Sequence, residues 1–377
     1  MFNRLKILFK AKYSFKKKKR RNVIIFDHRT SNYLENIIKK NEFDFFFSRH
    51  EKFNIPILIK TLINNGFKKF SKNYFLNFIR VTKPKFIITA WVYDIRIYEI
   101  KKIFPHIKII AIQSGNFLQN ETFLKNLKLF NKGKIDYFFV FSKNEKKLLS
   151  KTLKKTKIII SGSFLNNRYI KKKLIKKKKI IILSEYKVKR LNFNEKKIIY
   201  YVNKFCEIKN LKFDIQLRYN KIKELNEYYD FIKNNNFRKL DKIFFRTHKG
   251  FSYIKSKYYK LVVGSFSTLL HELFSAGQKI ALLDSYNNFN SIDYEKNNMG
   301  KEKYKKILYN IKKNSGFFWS NKLNEKNVNR VLNNLFYCSD NKWFIERKKY
   351  ENNLMFLNPK NTILKNELKS INFPVIK

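Results

Sequence analysis

The sequence is poor in residues on which several protein classes depend. Its 377 residues include 2 cysteines, 9 glycines and 5 prolines. Cys206 and Cys338 lie far apart and match no metal-binding or Cys-x-x-Cys spacing, which fits ordinary thiols in a reducing compartment. No apolar run reaches the ~18 residues of a membrane span. The basic start also lacks the uninterrupted apolar region and small-residue cleavage site of a signal peptide.

Several catalytic signatures are missing as well. The sequence has no Gly-x-x-x-x-Gly-Lys-Ser/Thr phosphate loop and no Gly-x-Gly-x-x-Gly. It also has no Gly-x-Ser-x-Gly nucleophile elbow and no His-Glu-x-x-His. These absences disfavour kinases, NAD enzymes, α/β-hydrolases and zinc proteases. We therefore expect no cofactor.

Acidic residues are scarce beside basic ones. The chain has 84 Lys and Arg against 28 Asp and Glu, a formal net charge of +56. Such charge can bind nucleic acid by displacing counterions from phosphates. However, Lys, Asn, Ile, Phe and Tyr all have codons made only of A and T, and Lys greatly outnumbers the Arg that base readers use. We therefore disfavour dedicated nucleic-acid binding, and leave open whether the charge is functional or reflects genome composition.

The first 21 residues form a basic N-terminal segment. Within it, a short interfacial helix can form whose apolar face consists of Phe2, Leu5, Leu8 and Phe9. The basic run Lys16–Arg21 follows this helix. A frayed basic terminus is the competing interpretation. A basic surface favours anionic membranes and phosphorylated substrates. We predict a cytoplasmic protein with peripheral contact at the inner face of the membrane.

The first half of the chain alternates strand-like and helix-like segments. With hydrophobic residues at 44% and aromatic residues at 17%, the chain can build packed cores. The predicted strands are Val23–Phe26, Phe43–Phe47, Phe86–Thr89, Ile107–Ile112, Tyr137–Phe141 and Lys157–Ile160. The predicted helices are Ser31–Lys40, Ile95–Phe104 and Asn144–Lys154. Continuous apolar strands alternating with helices are typical of a parallel sheet covered on both faces.

A second alternation follows the basic segment Asn166–Lys179, which we interpret as a linker. The predicted strands are Ile180–Leu183, Phe213–Leu217, Lys242–Arg246, Leu261–Gly264 and Lys279–Leu283, and the predicted helices are Asn194–Ile208, Lys221–Asn234 and Ser267–Ala276. We therefore predict an α/β fold of two Rossmann-like domains facing a cleft. Residues 22–165 form the acceptor domain, residues 180–323 the nucleotide-donor domain, and residues 324–377 a helical tail.

The most informative stretch is KLVVGSFSTLLHELFSAGQKIALLD, residues 260–284. Gly264 permits a tight turn after a buried strand, Ser267 is a good N-cap, and Gly277 is a good helix stop. Free N–H groups, the helix dipole and the hydroxyls of Ser265, Ser267 and Thr268 make an anion site. Glu272 lies one turn deeper, where it can accept hydrogen bonds from ribose hydroxyls. The competing interpretation is an ordinary capped helix with an exposed glutamate.

This stretch resembles the donor site of glycosyltransferases of the GT-B fold, where a Ser/Thr-rich turn and helix hold the donor diphosphate and a glutamate holds the ribose. The pattern also resembles bacterial surface-carbohydrate (capsule and O-antigen) biosynthesis proteins and, more distantly, CDP-glycerol glycerophosphotransferases. The resemblance covers most of Val23–Leu283 in element order, and its motifs are concentrated in Phe244–Asp284. It implies a nucleotide-activated donor.

Further donor-side candidates follow two other strands. Arg246 and His248 are two residues apart, so they face one side. The families named above often carry Arg-x-His-Pro there, contacting donor phosphates, but Lys249 replaces the proline here. Ser184 and Glu185 follow another strand of the donor domain, at the edge of the predicted cleft. Because the sequence has no Asp-x-Asp, by which metal-dependent GT-A transferases hold a cation, we expect no metal site, and side chains with a helix N-terminus would stabilise the leaving group.

The first domain offers acceptor-side candidates. Gln113, Ser114 and Gly115 follow a strand where the resemblance implies a turn facing the cleft. Ser114 stands where those families often have histidine, so no general base is transferred to it. Other candidate bases at strand ends are Asp27, His28 and Asp94, which remain alternatives.

Together these observations predict a metal-independent transferase of surface-polysaccharide assembly, using a nucleotide-activated sugar or a CDP-linked polyol and a carbohydrate or lipid-linked acceptor. One alternative is a nucleotide-sugar epimerase of the same fold. Another is a non-catalytic basic protein that binds RNA or a membrane.

Overall fold

The computed structural model describes residues 9–115, 135–169, 177–184, 191, 193–218, 221–246, 250–265, 267–283 and 315–376. Two units divide the chain. The first consists of Met1–Phe141, Glu145–Phe164 and Lys360–Lys377, and the second of Ser142–Asn144 and Leu165–Pro359.

Parallel strands form the centre of the first unit. They are β1 (Lys12–Ser14), β2 (Val23–Phe26), β3 (Phe43–Phe46), β4 (Lys52–Asn54), β5 (Phe86–Thr89), β6 (Lys108–Ile112), β7 (Tyr137–Val140) and β8 (Lys157–Ile160). β1 pairs with β4 in a separate small sheet, and the other six lie in the order β3-β2-β5-β6-β7-β8, parallel throughout. Strands such as β2 and β5 are apolar at every or nearly every position because both sheet faces are covered.

The helices of the first unit connect these strands. They are α1 (His28–Ser31), α2 (Ile55–Asn65), α3 (Phe70–Thr82), α4 (Ile95–Ile103), α5 (Lys143–Thr152), whose first residues belong to the second unit, and α14 (Thr362–Ser370) at the C-terminal end of the chain. The prediction of one helix over Ser31–Lys40 is wrong. α1 begins earlier, at an Asp27 cap, and a 3-10 helix covers Asn32–Ile37. It stops there because Ile38 is extended and forms an antiparallel bridge with Val375.

The second unit has another six-stranded parallel sheet. Its strands are β9 (Lys177–Leu183), β10 (Phe213–Gln216), β11 (Leu240–Phe244), β12 (Tyr259–Gly264), β13 (Ile280–Leu283) and β14 (Trp319–Ser320). They lie in the order β11-β10-β9-β12-β13-β14 and pair in parallel. Counted along the chain this is 3-2-1-4-5-6, the strand order of a dinucleotide-binding Rossmann fold.

Helices connect and follow the strands of the second sheet. They are α6 (Phe164–Tyr169, whose first residue belongs to the first unit), α7 (Phe193–Ile208), α8 (Ile222–Asn235), α9 (Phe251–Ser256), α10 (Thr268–Ser275), α11 (Glu325–Tyr337), α12 (Asp340–Lys348) and α13 (Glu351–Leu354). The segment predicted as a linker, Asn166–Lys179, contains the end of α6 and the start of β9, and its residues 170–176 lie outside the described residues. The domain boundaries stay a prediction.

The N-terminal segment joins the first unit through backbone and side-chain contacts. β1 pairs in register with β4, and the Lys18 Nζ lies 2.6 Å from the Asp44 carboxylate. Residues 1–8, which carry most of the predicted interfacial helix, lie outside the described residues. None of the helices in the described ranges combines the length and apolar character needed to cross a bilayer. The peripheral membrane contact stays a prediction.

Two histidines with lowered pKa values, one buried and one half-buried, make stability sensitive to acid. Burial lowers the pKa of His271 to about 4. Burial and the nearby Arg96 guanidinium lower the pKa of His50 to about 4, against an opposing effect of Asp94. Between pH 6.5 and 4 the unfolded chain therefore binds more protons than the folded one, and stability falls as the pH falls through that window.

For His271 the slope near pH 5 should be about 1 kcal/mol per pH unit. Urea unfolding at pH 7, 6 and 5 measures it, and His271→Gln should flatten the pH dependence of the second unit. Equal slopes in the wild type and the variant would contradict this assignment.

Candidate functional site

The strand order of the second unit reverses between β9 and β12. These two strands are neighbours. The strands that follow β9 are added on one side of the pair, and those that follow β12 are added on the other. In open α/β sheets, ligands bind beyond the carboxyl ends of the strands at such a switch point. Ser184 follows β9 directly and Ser265 follows β12, so the topology places two of the predicted donor-side serines on either side of it.

Within the part of the chain that the structure describes, the start of α10 lacks the side-chain cap that its sequence predicts. Ser267 has the extended backbone of an N-cap, but its side chain makes no capping hydrogen bond within the described residues. Thr268 is the first helical residue. The helix ends as predicted: Gly277 has a φ of 88°, its N–H donates to Phe274, and the N–H of Gln278 donates to Leu273.

Gly264 serves this turn through close packing. A Cβ at Gly264 would lie 2.8 Å from the Leu270 Cδ1 and 3.4 Å from the Leu183 carbonyl oxygen. Its φ is not in the left-handed range. The missing side chain therefore lets the end of β12 approach α10 and β9, whereas the sequence had indicated a tight turn.

Glu272 is buried, with 4% of its surface exposed. Its Oε2 accepts a 2.6 Å hydrogen bond from the Tyr253 hydroxyl on α9. The Glu272 carbonyl oxygen accepts a bond from the Asn166 side chain, which also bonds Ser275. The competing interpretation of an exposed glutamate is therefore wrong: the carboxylate is held in place inside the unit.

A second buried glutamate stands on the β9 side. Glu224 on α8 is fully buried, and its Oε1 accepts hydrogen bonds from the Ser184 hydroxyl at 3.0 Å and the Arg218 N–H at 2.9 Å. Glu224 thereby orients Ser184 and joins the end of β9 to the loop after β10. Gln216, the last residue of β10, is also buried and donates to the Ser252 hydroxyl.

The remaining donor-side candidates are less close to the switch point. Arg246 lies two residues beyond β11, the outer strand, which β10 and β9 separate from β12. With strands ~4.8 Å apart, β11 lies ~14 Å from β12. The chain then continues into α9, which packs on α10 through the Tyr253–Glu272 bond. His248 and Glu185 lie outside the described residues.

In the first unit, two predicted catalytic carboxylates are held by arginines. Asp27 is buried, has a φ of 62°, and accepts bonds from the Arg29 N–H and from the Arg49 guanidinium at 3.0 Å. Asp94 caps α4 and accepts bonds from the N–H and the Nε of Arg96 at 3.0 and 2.8 Å. Both carboxylates hold backbone and guanidinium groups in place.

His28 has a different environment. Its half-buried ring packs between Phe45 at 4.7 Å and Phe47 at 4.8 Å. Like Asp27, it stands just past the carboxyl end of β2, and β2 and β5 are where the strand order of this sheet reverses. Of the three candidate bases, His28 is the one whose side chain makes no hydrogen bond to another described residue.

The predicted acceptor-side turn follows β6 at the same sheet edge. The Gln113 Oε1 accepts from the Phe141 N–H at 2.8 Å and its Nε2 donates to the Gly115 carbonyl, so this buried side chain fixes the turn to β7. Ser114 is exposed, and its hydroxyl donates to the Ala90 carbonyl at 2.8 Å. A Cβ added at Gly115 would meet no described heavy atom within 4 Å.

The structure thus groups the predicted residues by unit. The switch point of the second sheet is surrounded by Ser184, Ser265, Ser267, Thr268 and Glu272. The carboxyl ends of the strands of the first sheet are followed by Asp27, His28, Asp94, Gln113, Ser114 and Gly115. Sequence reasoning missed Glu224 and Tyr253. The described residues contain no group of three or more His, Cys, Asp or Glu arranged to hold a metal ion.

Solved structures share this fold. Sucrose-phosphate synthase from Thermosynechococcus elongatus is 12% identical over 93% of this chain and 89% of its own, with a TM-score of 0.53. Anabaena HepE in complex with UDP-glucose is 11% identical over 94% and 99%, with a TM-score of 0.52. UDP-GlcNAc 2-epimerase from Neisseria meningitidis, bound to UDP-GlcNAc, is 11% identical over 94% and 100%, with a TM-score of 0.50. The predicted class, two Rossmann-like domains of the GT-B type, is confirmed.

The sequence also identifies the family. Residues 110–372, more than half of the chain, match the model of a family described as "putative O-antigen biosynthesis protein". The chain belongs to this family, which confirms the predicted resemblance to surface-carbohydrate biosynthesis proteins. None of the curated proteins matches the chain.

Proposed function

We propose that the protein is a metal-independent glycosyltransferase that uses a nucleotide-activated sugar in O-antigen biosynthesis. The observation that carries the proposal is the switch point of the second sheet, between β9 and β12. There, among the described residues, α10 begins beside Ser265 without a capping bond from the Ser267 side chain, and the buried Glu272 lies one turn further along the helix. The N–H groups and partial positive charge of α10 suit the donor diphosphate.

Glu272 suits the ribose in this proposal. A carboxylate offers about four acceptor positions, and the Tyr253 hydroxyl orients it through one of them. The same group can then accept bonds from the two ribose hydroxyls. HepE and the Neisseria epimerase were solved with uridine nucleotide sugars, so we propose a UDP-sugar first and keep a CDP-linked polyol as the second donor class.

The acceptor would bind to the first unit, with His28 as the base. A base must take a proton from the acceptor hydroxyl, and Asp27 and Asp94 are occupied by arginines. The leaving diphosphate would be stabilised by the N-terminus of α10, in line with the absence of an Asp-x-Asp motif from the sequence.

Calorimetric titration of the full chain with UDP, CDP, GDP and CMP tests the donor site. We expect one nucleoside diphosphate, UDP first, to bind with micromolar affinity, and CMP to bind at least tenfold more weakly than CDP because it lacks the second phosphate. If the wild type binds none of the four, the proposal is wrong.

The epimerase alternative is separated by a second measurement. Incubated with a UDP-sugar and no acceptor, an epimerase changes the stereochemistry of the sugar, whereas a transferase leaves most of the donor intact. Proton NMR of the anomeric region distinguishes the two outcomes. An RNA-binding protein without turnover would instead show salt-dependent retention on RNA that Glu272→Ala does not change.

A further inference from the structure

A pocket of about 440 Å³ opens at the carboxyl edge of the first sheet, beside the Arg96 side chain that Asp94 holds. Its walls come from the loop after β3 and from the first turns of α3 and α4. The lining includes His50, Phe70, Ser71, Lys72, Arg96 and Glu99. We call it the His50 pocket. Its volume falls within the ~300–1,000 Å³ of small-molecule sites, near the lower end.

The charges of the His50 pocket are already paired. The Arg96 guanidinium bonds the Asp94 carboxylate, the Ser71 hydroxyl and the Ser48 carbonyl. The Lys72 Nζ lies 2.8 Å from the Glu99 carboxylate. A phosphate would have to break these bonds and would approach Glu99, a like charge. The pocket is therefore poorly suited to an anion, although the exposed Lys69 stands at its rim.

The polar groups of the pocket suit hydroxyls. While these bonds are kept, the Ser71 hydroxyl can still donate, Glu99 can accept at its remaining positions, and Lys72 can donate its remaining hydrogens. The His50 ring stacks on Phe53 at 5.3 Å, its Nδ1 is buried with no partner among the described residues, and its lowered pKa of about 4 keeps the ring neutral at pH 7. Phe70 and Ile95 supply apolar surface. A sugar ring presents this same combination of hydroxyls that donate and accept and of apolar C–H faces.

We propose that the His50 pocket binds an uncharged sugar residue of the acceptor. This inference rests on the proposed glycosyltransferase function and specifies the substrate class on the acceptor side. Asp94 then becomes a positioning residue, because it holds the Arg96 side chain that forms one wall. The pocket stands at the same sheet edge as His28, the proposed base, since β3, β2 and β5 all end there.

Saturation-transfer difference NMR on the full chain tests the pocket, with methyl glycosides of glucose, galactose and N-acetylglucosamine as probes. We expect transfer to at least one glycoside in the wild type. Glu99→Gln removes the accepting charge and Ile95→Trp fills the pocket from a 44% exposed position, and each should reduce the signal at least fivefold. The matched control is Glu325→Gln, which removes an exposed glutamate paired with Lys204 in the second unit and should change nothing.

The same samples are titrated with UDP. Unchanged UDP affinity in Glu99→Gln and Ile95→Trp shows that the second unit is folded, and circular dichroism checks the whole chain. If the wild type binds UDP but no glycoside, the pocket inference is wrong while the donor proposal stands. If it binds a glycoside but no nucleotide, the donor proposal is wrong. Competition by inorganic phosphate that depends on the pocket residues would overturn the choice of an uncharged ligand.

Discussion

Replacing Glu272 by alanine should weaken UDP binding about 100-fold. The proposed ribose bonds to a buried carboxylate are charge-assisted, each contributing about 1.5–3 kcal/mol, and losing them costs about 3 kcal/mol. The substitution also leaves the buried Tyr253 hydroxyl without its acceptor. Isothermal titration gives the affinity, and thermal unfolding of the same sample separates lost binding from lost folding.

Two further variants make this result specific. Tyr253→Phe keeps the carboxylate but removes the group that orients it, so UDP affinity should fall only a few-fold. Glu224→Gln keeps the volume on the β9 side and weakens the bond to Ser184, and it should also have a smaller effect than Glu272→Ala. A folded Glu272→Ala protein that binds UDP like the wild type would remove Glu272 from the donor site.

Gly316→Ala should strongly destabilise the second unit. A Cβ at this position would lie 1.9–2.2 Å from three atoms of the Trp319 ring. That ring is 2% exposed and packs on Phe318 at 4.8 Å and Tyr350 at 5.2 Å, so it cannot move aside. Overpacking of this kind costs about 3 kcal/mol, or about 6–12 °C in Tm for a unit of this size.

A double-mutant cycle checks the cause. Trp319→Phe removes the clashing part of the ring, so Gly316→Ala should cost much less in that background than in the wild type. Gly115→Ala is the control, because no described heavy atom lies within 4 Å of its added methyl group. Scanning calorimetry reports the Tm of each variant. Equal costs in both backgrounds would show that the ring is not the obstacle.

The strands could be predicted from the sequence because each is a short, continuous apolar run. β2, β5 and β8 begin and end where predicted. The helices α2 and α3 were not among the predicted elements. In α3, FSKNYFLNFIRVT, the run Tyr74–Ile79 is buried at every position, and such a short continuous run cannot be told from a buried strand by its pattern. The edge strand β14 has only two residues, and its place depends on pairing with β13.

The residues of the candidate site also differ in whether the sequence alone could reveal them. Ser265 to Glu272 could be found because they follow one another along a strand, a turn and a helix. Tyr253 and Glu224 reach the site only after α9 and α8 pack against the sheet, and nothing local distinguishes them from other tyrosines and glutamates. For Asp94 a local signal did exist: Asp94 followed two residues later by Arg96 at a helix start indicates a cap.

The last 18 residues of the chain belong to the first unit. They bring Val375 to Ile38, Phe373 to Phe86 and Glu367 to Lys157. During synthesis the first unit therefore lacks α14 for as long as the roughly 200 residues of the second unit take to be made. This is ~10–40 s at ordinary rates of ~5–20 residues per second. During that interval Ile38, Phe86 and Lys157 lack these partners, so the first unit, although it is synthesised first, completes its contacts only after the second unit has been made.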